Sequence, residues 1–507
     1  MTTISKAGAL TAALLIGTST FAWAAPPAGS KLTVATIGEP ATLDVQLSPV
    51  ILVQEITQHM FETLFALDAA DVAKPLLAAA MPEVSEDGLT YVIALRDDVT
   101  FHNDAPMTAQ DVAASLTRWT TVNSKGKAAA AYIDAIEPTG DHEVTIRLNE
   151  RFAPLVAMLS QYSVIMPEST LADPLVEFVG TGPFRLQERR PDQYIDLRAF
   201  KGYTSPEGDA NGYAGSREAM VEQLIFTPVP DANTRVEGIL AGQYDYADSL
   251  PISAYDRLEA SGVAEPVVLK DSGWMSLNMN MKEGVLTDPR IRQAVANALN
   301  SDDLMAAAFD NPEFFTVNGA LFPESSTWYS DAGMDIPSEG DMERAAELLE
   351  EAGYDGTPLR ILTTRQYEFN YKMAQVAEVY LEMAGFAVEL QVSDWATLTS
   401  RRGDPAAWDI FITNSVFPPD PSMHNTFTAA YPGWYEGEGK DAALATYLGA
   451  VGDDAQADAA AALQAQFFAD MPIFKVGDFN SLSAASTKLE GLEPAVWPFF
   501  WNVSVGN

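Results

Sequence analysis

Apolar residues recur along this chain at two spacings, and each spacing predicts an element. Lys31–Thr36 reads as a strand, broken by Gly38-Glu39-Pro40. Ile51–Leu67 carries Ile56, Met60 and Leu64 at helical spacing. Tyr91–Leu95 and Val144–Leu148 alternate as strands do. Between them, Thr108 with Asp111 three residues later opens a helix that places Val112, Leu116 and Trp119 on one face, a variant of the capping box. Asp288-Pro289 supplies an N-cap and a first-turn proline for a helix burying Ile291, Val295 and Leu299. Asp341–Ala352 repeats the pattern, with Gly353 after it.

The C-terminal half alternates more regularly. Leu359–Thr363 is strand-like. Asn370 is the expected cap of a helix carrying Met373, Ala377, Tyr380, Leu381 and Ala384, which Gly385 stops. Phe386–Val392 and Asp409–Thr413 read as strands again. The Ala-rich stretch Ala455–Ala462 runs on into Leu463, Phe467 and Phe468 as an amphipathic helix. Strand, helix and strand in short order imply βαβ units on a mixed or parallel sheet, hence an α/β fold. The 507 residues are too many for one compact core, so at least two lobes are expected.

The N-terminus changes the picture from fold to location. Lys6 precedes a mostly apolar run, Ala9–Ile16, and Ala22-Trp23-Ala24 forms an A-x-A cleavage pattern before Pro26-Pro27. These features predict a secretory signal over residues 1–24. No later apolar segment approaches the roughly 20 residues that a membrane span needs. The sequence has no cysteine. No lipid-anchor cysteine follows the signal, so free diffusion in a periplasm is expected. The net charge of −40 repels phosphate backbones and argues against nucleic-acid binding.

Candidate enzyme chemistry is sparse. The four histidines, His59, His102, His142 and His424, do not pair at metal-ligand spacing. Without cysteine there is no thiolate zinc site and no cysteine nucleophile. Nucleophile elbows, P-loops and dinucleotide fingerprints are missing as well. No cofactor or metal is expected. Acidic pairs are too numerous to single out a glycosidase-type pair, so a secreted hydrolase stands as the alternative of another class.

The segment Asp87–Trp119, DGLTYVIALRDDVTFHNDAPMTAQDVAASLTRW, resembles the signature region of extracytoplasmic solute-binding proteins of the dipeptide/oligopeptide type, family 5. Asp104 stands where that family often has glycine; an acid tolerates the left-handed turn at modest cost. EPATLD at Glu39–Asp44, FETL at Phe61–Leu64, GTGPF at Gly180–Phe184, LNMN at Leu277–Asn280, AAELLEEAGY at Ala345–Tyr354 and the segment Asp409–Pro421 follow in family order. FETL is expected on a helix, GTGPF as a tight turn before a strand, and LNMN as an alternating strand entering a helix. His102 is expected to be structural.

The resemblance implies an α/β, two-lobed periplasmic-binding-protein fold (class II, cluster C type) with a subdomain inserted in the first lobe. Residues 25–48, 178–270 and 472–507 would form lobe I, 49–177 the insert, and 271–471 lobe II. It further implies a monomer that captures a small, peptide-like ligand by hinge closure and delivers it to an inner-membrane ABC permease.

The resemblance also nominates site residues. Arg365 lies where relatives hold a ligand carboxylate, a task that suits guanidinium. Trp395 resembles a tryptophan lining the ligand chamber. The loop Asn414–Pro421 stands where relatives carry an amine-binding aspartate; Phe417 takes the acid's place, with Asp420 and Asn414 nearby. Glu39 and Trp274 are further cleft candidates. Phe417 leaves open a peptide, an opine, an oligosaccharide or a metal chelate as ligand.

Overall fold

The computed structural model describes residues 26–428 and 430–506. The signal expected over residues 1–24 lies outside them.

Lobe I begins with β1 (Lys31–Thr36), and α1 (Ile51–Thr57) follows. The chain then builds a separate small sheet from Glu83–Val84, β2 (Thr90–Ala94), β3 (Ile133–Gly140) and β4 (Glu143–Leu148). Against it packs α2 (Ala109–Val122), whose Thr108 and Asp111 form the reciprocal capping box expected from sequence. Returning to lobe I, the chain adds β5 (Phe184–Arg190), β6 (Tyr194–Ala199), β7 (Gln223–Pro228) and β8 (Tyr246–Leu250). The long strand β9 (Ala264–Met279) leads out of this lobe.

Lobe II contains α3 (Pro289–Ala298), α4 (Met342–Ala352), β10 (Leu359–Thr363), α5 (Glu368–Met383), β11 (Val388–Val392), α6 (Trp395–Arg401), β12 (Ile410–Ser415), α7 (Glu438–Leu448) and α8 (Asp453–Asp470). The strand β13 (Ile473–Ser486) carries the chain back. β10 and β11 pair in parallel, from Leu359↔Val388 to Thr363↔Val392, with α5 as the crossover: the βαβ unit read from the sequence. One sheet runs through both lobes in the order β11-β10-β12-β9-β13-β8-β1-β7-β6-β5, with the short strand Phe315–Thr316 also on β13.

The lobes are joined where this sheet breaks register. β9 and β13 pair as Ala264–Leu269 with Ser481–Ser486, and again as Gly273–Asn278 with Ile473–Phe479. Between these blocks Lys270-Asp271-Ser272 leaves the ladder, with Asp271 at φ 53°. Side chains replace the lost ladder bonds: Asp271 N–H donates to Asn480 Oδ1 (3.1 Å), and Ser481 N–H to Ser272 Oγ (3.1 Å). The resemblance implies a return to lobe I at residue 472; Ile473–Phe479 are still paired with Gly273–Asn278 of β9.

Within the span 49–177 expected as an insert, burial falls into two groups. Leu52, Val53, Ile56, Tyr162, Val164 and Leu175 bury into the lobe I core. The insert's own core runs from Leu64 to Leu159, with Ile165.

Four local expectations need correction. The helix from Ile51 ends at Thr57 and does not reach Leu67; Phe61–Leu64 is irregular and Phe65–Leu67 is a strand. The cause is the GTGPF segment. The carbonyls of His59 and Met60 accept from Phe184 N–H (3.0 Å) and Gly182 N–H (2.9 Å), so they are not free to continue a helix. Gly180 and Gly182 are required there: a Cβ would lie 2.1 Å from Met60 O and 2.6 Å from His59 O, respectively. Asn370 is not a cap. α5 starts at Glu368, and Asn370 is buried within it with its amide unpartnered. LNMN does not alternate, because Gly273–Met279 is buried throughout, held between β12 and β13. Asp104 adopts φ 66° in its turn, as the resemblance requires.

Candidate functional site

A cavity of about 270 Å³ lies between the lobes, and four stretches of chain make most of its wall. From the insert side comes the loop after Leu67. Asp68 shapes it by accepting from Ala70 N–H (2.9 Å) and Val72 N–H (3.0 Å), which leaves Asp71 at φ 63° on the cavity wall. From lobe II comes the loop that leaves β12, Val416-Phe417-Pro418-Pro419. The hinge residues Lys270–Ser272 and the C-terminal segment Glu493–Trp497 close the remainder.

The lobes touch across this space. Thr327 N–H of lobe II donates to Ala70 O (3.1 Å), and Ala153 N–H of the insert donates to Leu448 O of lobe II (3.0 Å). The lobes are therefore in contact on both sides of a cavity that stays partly open to solvent.

The wall is aromatic in part, with Phe417, Tyr213, Trp497 and Phe499, and acidic in part. Burial raises the carboxyl pKa of Asp71; a hydrogen bond from Ser326 opposes the rise, and the negative charges of Asp68 and Asp271 add to it. Asp271 Oδ2 accepts from Ser325 Oγ at 2.6 Å. Behind Phe417, burial lowers the ammonium pKa of Lys475, while Asp478 opposes the shift. Lys475 Nζ sits 5.6 Å from the Phe417 ring centre and donates to Asn318 O (2.9 Å).

The seven residues nominated from sequence are dispersed, and Phe417 is the one that lines this cavity. Asp420 is buried and committed to structure. Its carboxylate accepts from Ser422 N–H (2.9 Å), Ser422 Oγ (2.6 Å) and Tyr447 Oη (2.6 Å), which fixes the turn holding the Phe417 loop. Burial raises its pKa. Asn414 lies on β12 opposite Met275, outside the cavity wall. Trp274 is a core residue stacked on His424 at 4.8 Å. Glu39 is held within lobe I by Arg189, Oε1 to Nε at 2.8 Å.

Arg365 is exposed at the end of β10. It bonds Tyr371 Oη (2.9 Å), and no carboxylate among the described residues pairs with it. Trp395 opens α6, edge-on to Tyr367 at 5.0 Å. Neither side chain lines the interlobe cavity.

His102 is structural as expected. Nδ1 accepts from Gly180 N–H (3.2 Å), so Nε2–H donates to Gly182 O (2.9 Å). Burial pushes its pKa down to about 4. Among the described residues no cluster of three or more His, Asp or Glu side chains is arranged to hold a metal ion.

Asp71, Asp271, Gln161, Tyr213 and Trp497 were not legible as site residues. They reach the cavity from five separate stretches of chain, and no local motif marks them. The hinge offered one faint signal, a charged Lys270-Asp271 pair inside a strand otherwise rich in apolar residues.

A family model described as bacterial extracellular solute-binding proteins, family 5 Middle, matches residues 72–434. The chain belongs to this family. It is 28% identical over 470 residues to the probable peptide ABC transporter periplasmic-binding protein y4tO of Sinorhizobium fredii, covering 88% of each chain. Among solved structures it matches the ABC transporter substrate-binding protein CtaP of Listeria monocytogenes with TM-score 0.82 and 18% identity, covering 94% of this chain and 100% of that one. It also matches AgaA of A. tumefaciens R10, solved in complex with agropinic acid, with TM-score 0.72 and 22% identity over 94% and 99%. The two-lobed family 5 fold is thus the fold of this solute-binding protein, and the relatives are transport proteins rather than enzymes.

Proposed function

We propose that this protein is the periplasmic component of an ABC importer that binds a peptide-like or other small carboxylated solute between its lobes. It works as a monomer released by signal cleavage, and it presents the closed, loaded form to an inner-membrane permease. The observation that carries the reading is the interlobe cavity: walls from both lobes, a register break at the hinge, and hydrogen bonds that bridge the cleft. A ligand held by both walls has a different affinity for open and closed states, and that difference drives closure. No bond of the solute needs to change.

Two relatives support the choice of solute. One is named for peptide transport, and the other was solved with agropinic acid. The division into lobes proposed here follows the strand pairing, with crossings at Lys270–Ser272 and at Asn480.

A thermal-shift screen against di- and tripeptides, opines, oligosaccharides and metal chelates tests the reading. A ligand at a hundred times its Kd adds about 2.7 kcal/mol of stability. The ligand that shifts the transition is expected back unchanged after prolonged incubation. Turnover would make the protein a hydrolase, and a flat screen would overturn the proposed solute class.

A further inference from the structure

A second, smaller pocket of about 40 Å³ lies in lobe I and shares Leu67, Gln161, Tyr213 and Trp497 with the interlobe cavity. That volume holds roughly two or three water-sized groups. Its polar groups are buried and unusually free. Arg217 is 4% exposed. Its guanidinium packs 4.4 Å from the Trp501 ring centre, and its two terminal nitrogens bond Glu62 Oε1 (3.4 Å) and Tyr213 O (2.5 Å). Nε has no partner.

Gln161 is 7% exposed, and its Oε1 accepts from Lys125 Nζ at 3.1 Å. An ammonium can only donate, so the orientation of this amide is set, and its N–H groups are left without a protein partner. Gln54 Oε1 is buried there without a partner too, and the Gln54 amide is free to turn either face inward. Arg217 Nε is thus a buried donor left unmade, with the unpartnered Gln161 amide N–H groups on the same small pocket, and that combination calls for an occupant.

The charge balance says which occupant. Glu62 neutralises Arg217. Lys125 has no carboxylate within ion-pair distance among the described residues, and it lies 5.0 Å from the Tyr162 ring. Burial without such a partner lowers its pKa to about 8. One positive charge is thus left over beside a donor-lined pocket that shares four wall residues with the ligand cavity.

We infer that this lobe I pocket receives the carboxylate end of the solute, with Arg217 Nε–H and the Gln161 amide as its donors and Lys125 as the balancing charge behind them. This rests on the solute-binding reading. It moves the carboxylate anchor from Arg365, on lobe II, to the opposite lobe. The acidic wall at Asp71 and Asp271 then faces the other end of the solute.

Isothermal titration with trialanine, trialanine C-terminal amide and maltotriose tests the assignment. Trialanine is expected to bind at least about tenfold tighter than its amide, the worth of a charge-assisted contact. Gln161→Glu provides the decisive variant. It gives Lys125 a carboxylate partner, so the unliganded protein keeps its melting temperature or gains, while a second negative charge enters the pocket. Trialanine affinity should then fall by more than tenfold. Lys125→Met removes the charge without entering the pocket and should weaken trialanine three- to tenfold, leaving the amide unchanged. Equal binding of acid and amide, or a Gln161→Glu protein that still prefers the acid, overturns the assignment. Binding of maltotriose alone overturns it while sparing the solute-binding reading. No binding of any of the three overturns the assignment for a peptide carboxylate, and sinks the solute-binding reading as well only if the thermal-shift screen is also flat.

Discussion

Lowering the pH perturbs His102 in a way that the structure makes quantitative. The ring is clamped against GTGPF, with Nδ1 accepting from Gly180 N–H and Nε2–H donating to Gly182 O. Protonation would place a second ring N–H directly against the Gly180 N–H, in a buried site with no counter-charge described. The folded pKa is about 4, against an ordinary value of 6.5. With the folded value depressed, the unfolded chain takes up the proton first. The stability from a neutral His102 is complete above pH 6.5 and is lost as pH falls from 6.5 toward 4. At 1.36 kcal/mol per unit the loss is roughly 3 kcal/mol. His59 and His424, both pushed down to about 3 by burial, act in the same direction. Burial raises Asp71, Asp420 and Asp478 and so acts in the opposite direction, which is why a bare pH profile is uninformative. The difference between wild type and His102→Gln isolates the one group. Gln keeps a donor for Gly182 O and does not titrate. Urea unfolding at pH 7.0, 6.0, 5.0 and 4.5 is expected to show the wild type losing stability faster than the variant on acidification, by 2–3 kcal/mol over the series. Equal slopes, or an imidazole resonance of His102 titrating near pH 6.5, would refute the reasoning.

Other perturbations test the remaining structural claims. Gly180→Ala puts a methyl 2.1 Å from the Met60 carbonyl, and urea unfolding should show a loss above about 3 kcal/mol or no folded protein. Tyr447→Phe removes one donor from the buried Asp420 carboxylate and should cost about 1.5–3 kcal/mol, seen as a lower urea midpoint. Phe417→Ala opens the lobe II wall of the cavity and should weaken the solute found by thermal shift at least about tenfold in a titration, or about 1.4 kcal/mol. Arg365→Ala, at an exposed residue off the cavity, should leave that affinity within about twofold.

The elements that were legible in the sequence are those whose determinants are local. The Thr108–Asp111 box, the Asp288-Pro289 start and the β10-α5-β11 unit each depend on residues within one turn or one crossover. The helix at Ile51 shows the limit of that reasoning. Met60 and Leu64 keep helical spacing and are fully buried, so the apolar pattern is satisfied, yet the backbone leaves the helix because carbonyls 59 and 60 are bonded by residues more than 120 positions away. Burial alone does not distinguish a helix from an irregular chain packed into the same core.

The site follows the same rule more severely. A resemblance in sequence order points to the loop around Phe417, and that loop does reach the cavity. It cannot say which charged side chains share the space, because the cavity exists only once the lobes close. Asp420 shows why proximity in sequence misleads: three residues from Phe417, it turns inward to Tyr447 and Ser422, and holding the loop in place consumes its hydrogen-bonding capacity. Arg217 and Gln161 show the converse. They lie 56 residues apart in sequence (positions 161 and 217), yet they meet at one pocket with donors unspent. A binding group is recognised here by what its neighbours leave unsatisfied, and that quantity has no signature in a single sequence.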